Sequence, residues 1–233
     1  LERLVLDVKC GNAAFMQTRE DAESLAKSMV DTGNNLGMKV VAQITEMDNP
    51  IGMMFGNSHE IVECIQCLKG DGPSDTMELV YAQGDALGYD IRPVIEDGSA
   101  LEEFRNMCIR QGVNESDINK VVIDPWSILP HAPHSTEILA PNSGYISQIH
   151  ALTIGEVLCK LGAGRTGENP DIDHGVGAEL LVMRGEYIEA GKPWIRFDSE
   201  ESLSQETIDQ IQLSLTLSDD RVEISSRILE EIH

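Results

Sequence analysis

Positive charge is scarce in this sequence beside negative charge. Lysine and arginine number 17 against 40 aspartates and glutamates, a formal net charge of −23. Such a surface repels phosphate backbones and anionic membranes, so nucleic-acid and membrane partners are excluded as the main role. Long apolar runs are also missing, none approaching the ~20 residues of a membrane-spanning helix. The first residues carry neither the basic flank nor the small-residue cleavage site of a secretion signal, so the expected setting is cytoplasmic. Cysteine is sparse: five in 233 residues, an odd number spread through apolar patterns, as packed reduced thiols are. Internal repeats and low-complexity tracts are absent.

What is present is enough apolar residue, 41% of 233, to bury a core of one large domain or two small ones. Leu4, Val5, Leu6 and Val8 make a short apolar run ending at Gly11, as a buried strand does. Thr18 and Asp21 resemble a capping box ahead of Ala22, Leu25, Ala26, Met29 and Val30, which share one helical face that Gly33 is placed to end. The run 39–45 is β-branched and strand-like. Asn57 with Glu60 and Ser99 with Glu102 predict two more capped helices, closed by Gly70 and Gly112, with another from Ser74 to about Leu87. Only about two strands are legible before residue 130, a sheet small for the helices around it.

The texture changes after Pro130 and Pro133. Short strands and turns follow from Ile138, with helical spacing over 154–161 and 204–215 and a strand-like 221–224. The predicted fold is α/β: a partial mixed sheet with flanking helices over 1–133, then a smaller α+β domain over 134–233. Ala140-Pro-x-x-Gly144-x-Ile146 and Gly185-x-x-Ile188-x-x-Gly191 resemble the turns of a barrel-sandwich module of the biotinyl and lipoyl type.

Few residues offer chemistry on their own. Cys64 and Cys67 form a C-x-x-C suited to a redox or zinc pair, but inside a helical pattern with no second pair they read as packed thiols. His131 and His134 form an H-x-x-H without a carboxylate or cysteine at ligand spacing, the pattern of a solvated linker. His174 lies among acids, which suits a general base, yet has no nucleophile beside it. The glycine-rich Leu161–Gly167 stretch could cradle phosphate but lacks the lysine ending of a P-loop. The acidic runs 198–201 and 230–231 read as solvated faces.

Longer stretches carry a resemblance. LVLDVKCGNAAFM at 4–16, TEMDNPIGMMFGNSHEIVECIQCLKG at 45–70, DGSALEEFRNMCIRQGV at 97–113, KLGAGR at 160–165 and HGVGAELLV at 174–182 resemble, in order, the pyrimidine-nucleoside phosphorylase family, to which the thymidine phosphorylases belong. The resemblance implies a C-terminal portion, lacking a helical N-terminal domain, of an enzyme that splits pyrimidine nucleosides reversibly with phosphate. It implies phosphate as co-substrate, no organic cofactor, potassium as a bound ion, and a homodimer for the complete protein. The family's phosphate-binding and most base-binding groups precede the matched segments, so no catalytic residue is assigned here. Lys9 does not match the family's base-binding lysine. Phe15 matches a position lining the pyrimidine pocket, whereas its bare sequence context suggests a core aromatic. Ile51, Met54 and Glu63 match a monovalent-cation site, two through backbone carbonyls and Glu63 through its carboxylate, oxygen donors that suit a hard cation. A non-catalytic truncated relative and a biotinyl- or lipoyl-like carrier are the competing expectations; for the carrier, Lys160 is the one lysine between Gly144 and Gly185.

Overall fold

The structure is a computed structural model describing residues 1–165 and 170–233. Strand β1 (Arg3–Cys10) runs parallel to β2 (Lys39–Glu46), in register from Arg3 opposite Lys39 to Cys10 opposite Glu46. Helix α1 (Arg19–Asn35) makes the crossover, capped by the Thr18 side chain on the Asp21 amide. Its small residues Ala22 and Ala26, with Val30, lie against Val8, Val40, Ala42 and Ile44, so the helix sits close on the sheet. Gly33 does not end α1. It lies inside the helix facing the next strand, where a Cβ would fall 2.3 Å from Val40 Cγ2.

A short β3 (Met54–Phe55) leads into α2 (Asn57–Leu68), followed by α3 (Ser74–Leu87), α4 (Arg92–Glu96), α5 (Ser99–Arg110) and α6 (Glu115–Ile123). The five and nine residues of α4 and α6 offer too few turns to show a period in the sequence. Two predicted caps are corrected: glycines 56 and 98, not Asn57 and Ser99, precede α2 and α5. Half of the first box survives, since Glu60 Oε1 accepts the Gly56 amide at 3.1 Å. Ile65 of α2 and Ile118 and Val121 of α6 form a small core of their own with Phe104 and Cys108 of α5.

The second part comprises β4 (His134–Leu139), β5 (Gly144–Ile149), α7 (Ala151–Leu161), β6 (Gly177–Leu180), β7 (Tyr187–Ile188), β8 (Pro193–Ser199), α8 (Gln205–Gln212) and β9 (Leu215–Ser218). They form two antiparallel sheets, ordered β3-β6-β8-β4 and β7-β5-β9. Both contribute to one core, with Ile138, Trp194, Ile195 and Phe197 from the first and Ile146, Ile149, Ile188 and Leu215 from the second. The two glycine signatures lock onto each other through the backbone. Gly191 N donates to Ala140 O at 2.9 Å and Gly185 N to Ile146 O at 2.8 Å, with Ile146 N returning to Glu186 O at 2.9 Å.

The predicted strand at 221–224 is not formed; that segment is irregular, and the strand comes later, as β10 (Ile228–Ile232). β10 returns to the first sheet and pairs antiparallel with β2, giving the order β1-β2-β10. This pairing and that of β3 with β6 both connect residues on opposite sides of position 133. The architecture is thus mixed α/β, with a third strand in the first sheet drawn from the end of the chain.

Arg227, 9% exposed, fixes that return. Its guanidinium pairs with Glu46, donates to Asp75 at 2.8 Å and to Asn49 O at 3.1 Å, and also bonds Pro50 O. Replacing Arg227 with methionine strands two enclosed carboxylates, and the expected loss is about 3–5 kcal/mol of stability. Urea unfolding monitored by circular dichroism checks this; a loss below about 1 kcal/mol contradicts it.

Candidate functional site

The turn after β2 organises its surroundings. Glu46 Oε1 accepts the backbone amides of Asp48 and Asn49, both at 3.0 Å, and the Asn49 side chain at 2.8 Å. Asp48 Oδ1 accepts the Asn12 amide at 2.8 Å, and Asn49 Oδ1 accepts the Ile149 amide at 2.9 Å. Gly11, with φ of +137°, brings the β1 end against this turn; a Cβ there would lie 2.8 Å from Asp48 N.

Beyond the turn, residues 50–56 fold over α2 and face α7, leaving a mostly apolar cleft of about 620 Å³. Ile51, Met54 and Glu63 all line it, with Cys64, Ile154 and Leu158. Glu63 is 8% exposed and directs Oε2 at the amides of Met53 and Met54, at 2.6 and 2.9 Å. Burial, the largest influence, pushes its carboxyl above the usual range, against the opposing effect of those two amide bonds. Gly52 makes the approach possible: at φ +75° a Cβ would sit 2.1 Å from Glu63 Oε1. The cleft therefore holds one buried carboxyl clasped by the loop that carries the other two predicted cation ligands.

Cys64 and Cys67 border the same cleft as free thiols. Burial pushes both up, Cys67 to about 11, so neither is the thiolate that redox chemistry needs. Of the glycine-rich stretch, Gly162 ends α7 in the left-handed conformation, and Ala163 and Gly164 edge the cleft. Thr166 and Gly167 lie outside the described residues. Lys160 stands exposed in the last turn of α7, not at a hairpin tip, which removes the positional basis for a carrier lysine. His174 is exposed and uses its carbonyl to accept the Ser58 amide at 3.3 Å.

Phe15 lies on the loop between β1 and α1 with its ring fully exposed, in neither a core nor the wall of this cleft. Lys9 is occupied by Asp7 and Thr45, at 2.7 and 3.0 Å.

The H-x-x-H divides. His134 begins β4 near Ser202, whereas His131 meets Asp198 of β8 at 3.0 Å, and His59 of α2 meets the same carboxylate oxygen at 2.9 Å. Asp198, expected on a solvated face, is 3% exposed. Burial alone would raise its pKa, but the bonds from His59 and His131, with the Ser135 side chain nearby, outweigh it and hold the carboxyl at about 2. No sequence spacing links residues 59, 131 and 198; the only local hint was the histidine pair.

Residues 145–218 match the pyrimidine nucleoside phosphorylase C-terminal domain. Over nearly all of its length the chain is similar to pyrimidine-nucleoside phosphorylases. Thymidine phosphorylase of Mus musculus is 37% identical over 237 residues, 94% of this chain and 50% of the relative. Thymidine phosphorylase of Homo sapiens is 36% identical, covering 94% and 49%, and pyrimidine-nucleoside phosphorylase of Bacillus subtilis (strain 168) is 36% identical, covering 90% and 49%. The chain therefore spans about half the length of the phosphorylases it matches. The matched domain covers β5 to β9, the sheet closed by the two glycine signatures and most of the larger core.

Two outcomes follow from this geometry. The raised Glu63 carboxyl favours the folded state fully at pH values below its unfolded pKa, and that contribution is lost as pH rises through the folded value. Glu63→Gln lacks this dependence, so its stability relative to the parent should climb as pH rises from about 4 through the raised folded value, measured as urea midpoints without potassium. A flat difference contradicts the assignment. Phe15→Ala should change stability by less than about 0.5 kcal/mol, since an exposed ring leaves no cavity; a larger loss in the same assay would show that the ring is packed.

Proposed function

We propose that this chain is part of a nucleoside phosphorylase that cleaves thymidine and related pyrimidine nucleosides reversibly with phosphate, giving the free base and (deoxy)ribose 1-phosphate in pyrimidine salvage and catabolism. The observation that carries this reading is similarity across 94% of the chain to proteins named thymidine phosphorylase. In this reaction phosphate attacks C1′ and the pyrimidine departs as an anion. The bound phosphate must be held near the anomeric carbon, and charge developing on the base must be met by donors or cations. With a net charge of −23, this chain is poor in groups for either task. We place those groups in the portion of the phosphorylase length that the chain does not span, so that activity requires both portions.

In this reading the present chain contributes support to the site. Phe15, exposed on its loop, closes the pyrimidine pocket when the other portion is in place. Ile51, Met54 and Glu63 complete a potassium site, the ion compensating the cost of ionising an enclosed carboxyl. Phosphate is the co-substrate and no organic cofactor is called for. The complete protein is proposed to be a cytoplasmic homodimer; among the described residues no helix is long and apolar enough to cross a membrane.

Thymine release from thymidine, phosphate and potassium tests the reading. The chain alone should release none, and activity should appear when it is co-expressed with the N-terminal half of a pyrimidine-nucleoside phosphorylase. Within that complex, Glu63→Gln should abolish the difference between potassium and sodium chloride. Release by the chain alone overturns the assignment of the catalytic groups to the other portion. No release from a complex that forms overturns the phosphorylase reading.

A further inference from the structure

The meeting of His59, His131 and Asp198 is not explained by the proposed phosphorolysis. The three come from the first turn of α2, the segment before β4, and β8, and their ligand-capable atoms all lie within 4.8 Å of one another. Both imidazole Nε2 atoms converge on Asp198 Oδ2, at 2.9 and 3.0 Å. The surroundings hold the rings in place. Trp126 stands edge-on to His59 at 4.9 Å between centroids and lies over His131 at 4.8 Å. Gly177 of β6 leaves room for His59, since a Cβ there would fall 2.0 Å from its Nδ1.

Hydrogen bonding alone leaves this cluster unfinished. Among the described residues, buried Asp198 Oδ1 and His59 Nδ1 have no hydrogen-bond partner. With neutral imidazoles the cluster carries an enclosed negative charge, which a cation would offset. Two imidazole nitrogens and one carboxylate form a donor set suited to a zinc-class divalent ion. Bond lengths of about 2.0 Å in a tetrahedral site separate ligand atoms by about 3.3 Å; the two nitrogen–oxygen pairs, at 2.9 and 3.0 Å, need to part by only a few tenths of an ångström, and the third pair lies within 4.8 Å. Half of the His131 side chain is exposed, leaving one side open for water, whereas His59 and Asp198 are enclosed.

We propose that His59, His131 and Asp198 form a binding site for a zinc-class divalent metal ion, with the fourth position open to water, that fastens α2 and the segment before β4 to the β3-β6-β8-β4 sheet. The role is structural: the ligands come from three separate segments, and the ion adds a direct link among them to the pairing of β4 with β8. Ligation through Nε2 places the proton of each neutral ring on Nδ1, a change of tautomer with no net proton release.

The test uses the purified protein, free of any histidine tag and stripped by chelator, titrated with Zn2+ alone in a calorimeter and followed by thermal melting. Co2+ absorption reports the coordination number independently. The expected result is one Zn2+ per chain, a rise in melting temperature, and Co2+ bands of a four-coordinate nitrogen and oxygen site. His131→Gln, at an exposed position that should leave folding intact by circular dichroism, should weaken binding at least ~10-fold and remove the thermal shift. Asp198→Asn should do the same, while Cys64→Ser with Cys67→Ser and, separately, His134→Gln should bind as the parent does. Absence of Zn2+ binding by the parent, unchanged binding by His131→Gln, or loss of binding with the two cysteines overturns the proposal. The readout is metal binding, so failure here leaves the phosphorolysis reading standing, and the reverse also holds.

Discussion

One guanidinium sets the relation between the beginning, middle and end of this chain. Arg227 is enclosed in a protein of strongly negative charge and satisfies two carboxylates and two carbonyls at once. An enclosed cation is tolerable only when paired and fully bonded, and the groups that meet it lie at the end of β2, on the turn after it and in the first turn of α3. Holding that turn has further effects, because Asp48 and Asn49 reach from it to Asn12, Ile149 and Ala151. The β1 end, the junction of β5 with α7, and the approach to β10 are all referred to the same few residues. Directional bonds of this kind specify orientation, whereas the apolar cores supply most of the driving force for burial.

The cleft beside Glu63 follows from that arrangement. Its floor is α2, its cover is the 50–56 loop leaving the braced turn, and its far wall is α7, whose first residue is bonded to the same turn. The cleft thus spans the two sequence regions expected to be separate units. A displacement of α7 would open it, so the polar contacts of the turn govern its width as well as its position.

Periodic features were legible in the sequence. Helices α1, α3 and α7 and strands β1 and β2 show their apolar spacing, and the Thr18 cap bonds as its residue type predicts. Glycine signatures announced the tight pairings around β5 and β7 because backbone conformation there is a local requirement. What escaped is what distance along the chain conceals. Asp198 resembles a surface acid when seen with Glu200 and Glu201, and only the packing of α2 and the segment carrying His131 against β8 shows it enclosed. Gly33 resembles a helix stop until Val40 is placed against it. Glu63 illustrates an intermediate case: the family resemblance singled it out, but the clasping amides of Met53 and Met54 required the fold of a glycine-containing loop.

The pairing of β10 with β2 also bears on how the chain folds. Residue 228 lies opposite residue 45, so a long stretch of chain separates the partners. Until β10 docks, the β2 edge that it covers stays unpaired. Contacts this distant in sequence form slowly, since the intervening loop must close first. A partly folded chain therefore exposes an open strand edge, a template for edge-to-edge association until that closure is complete.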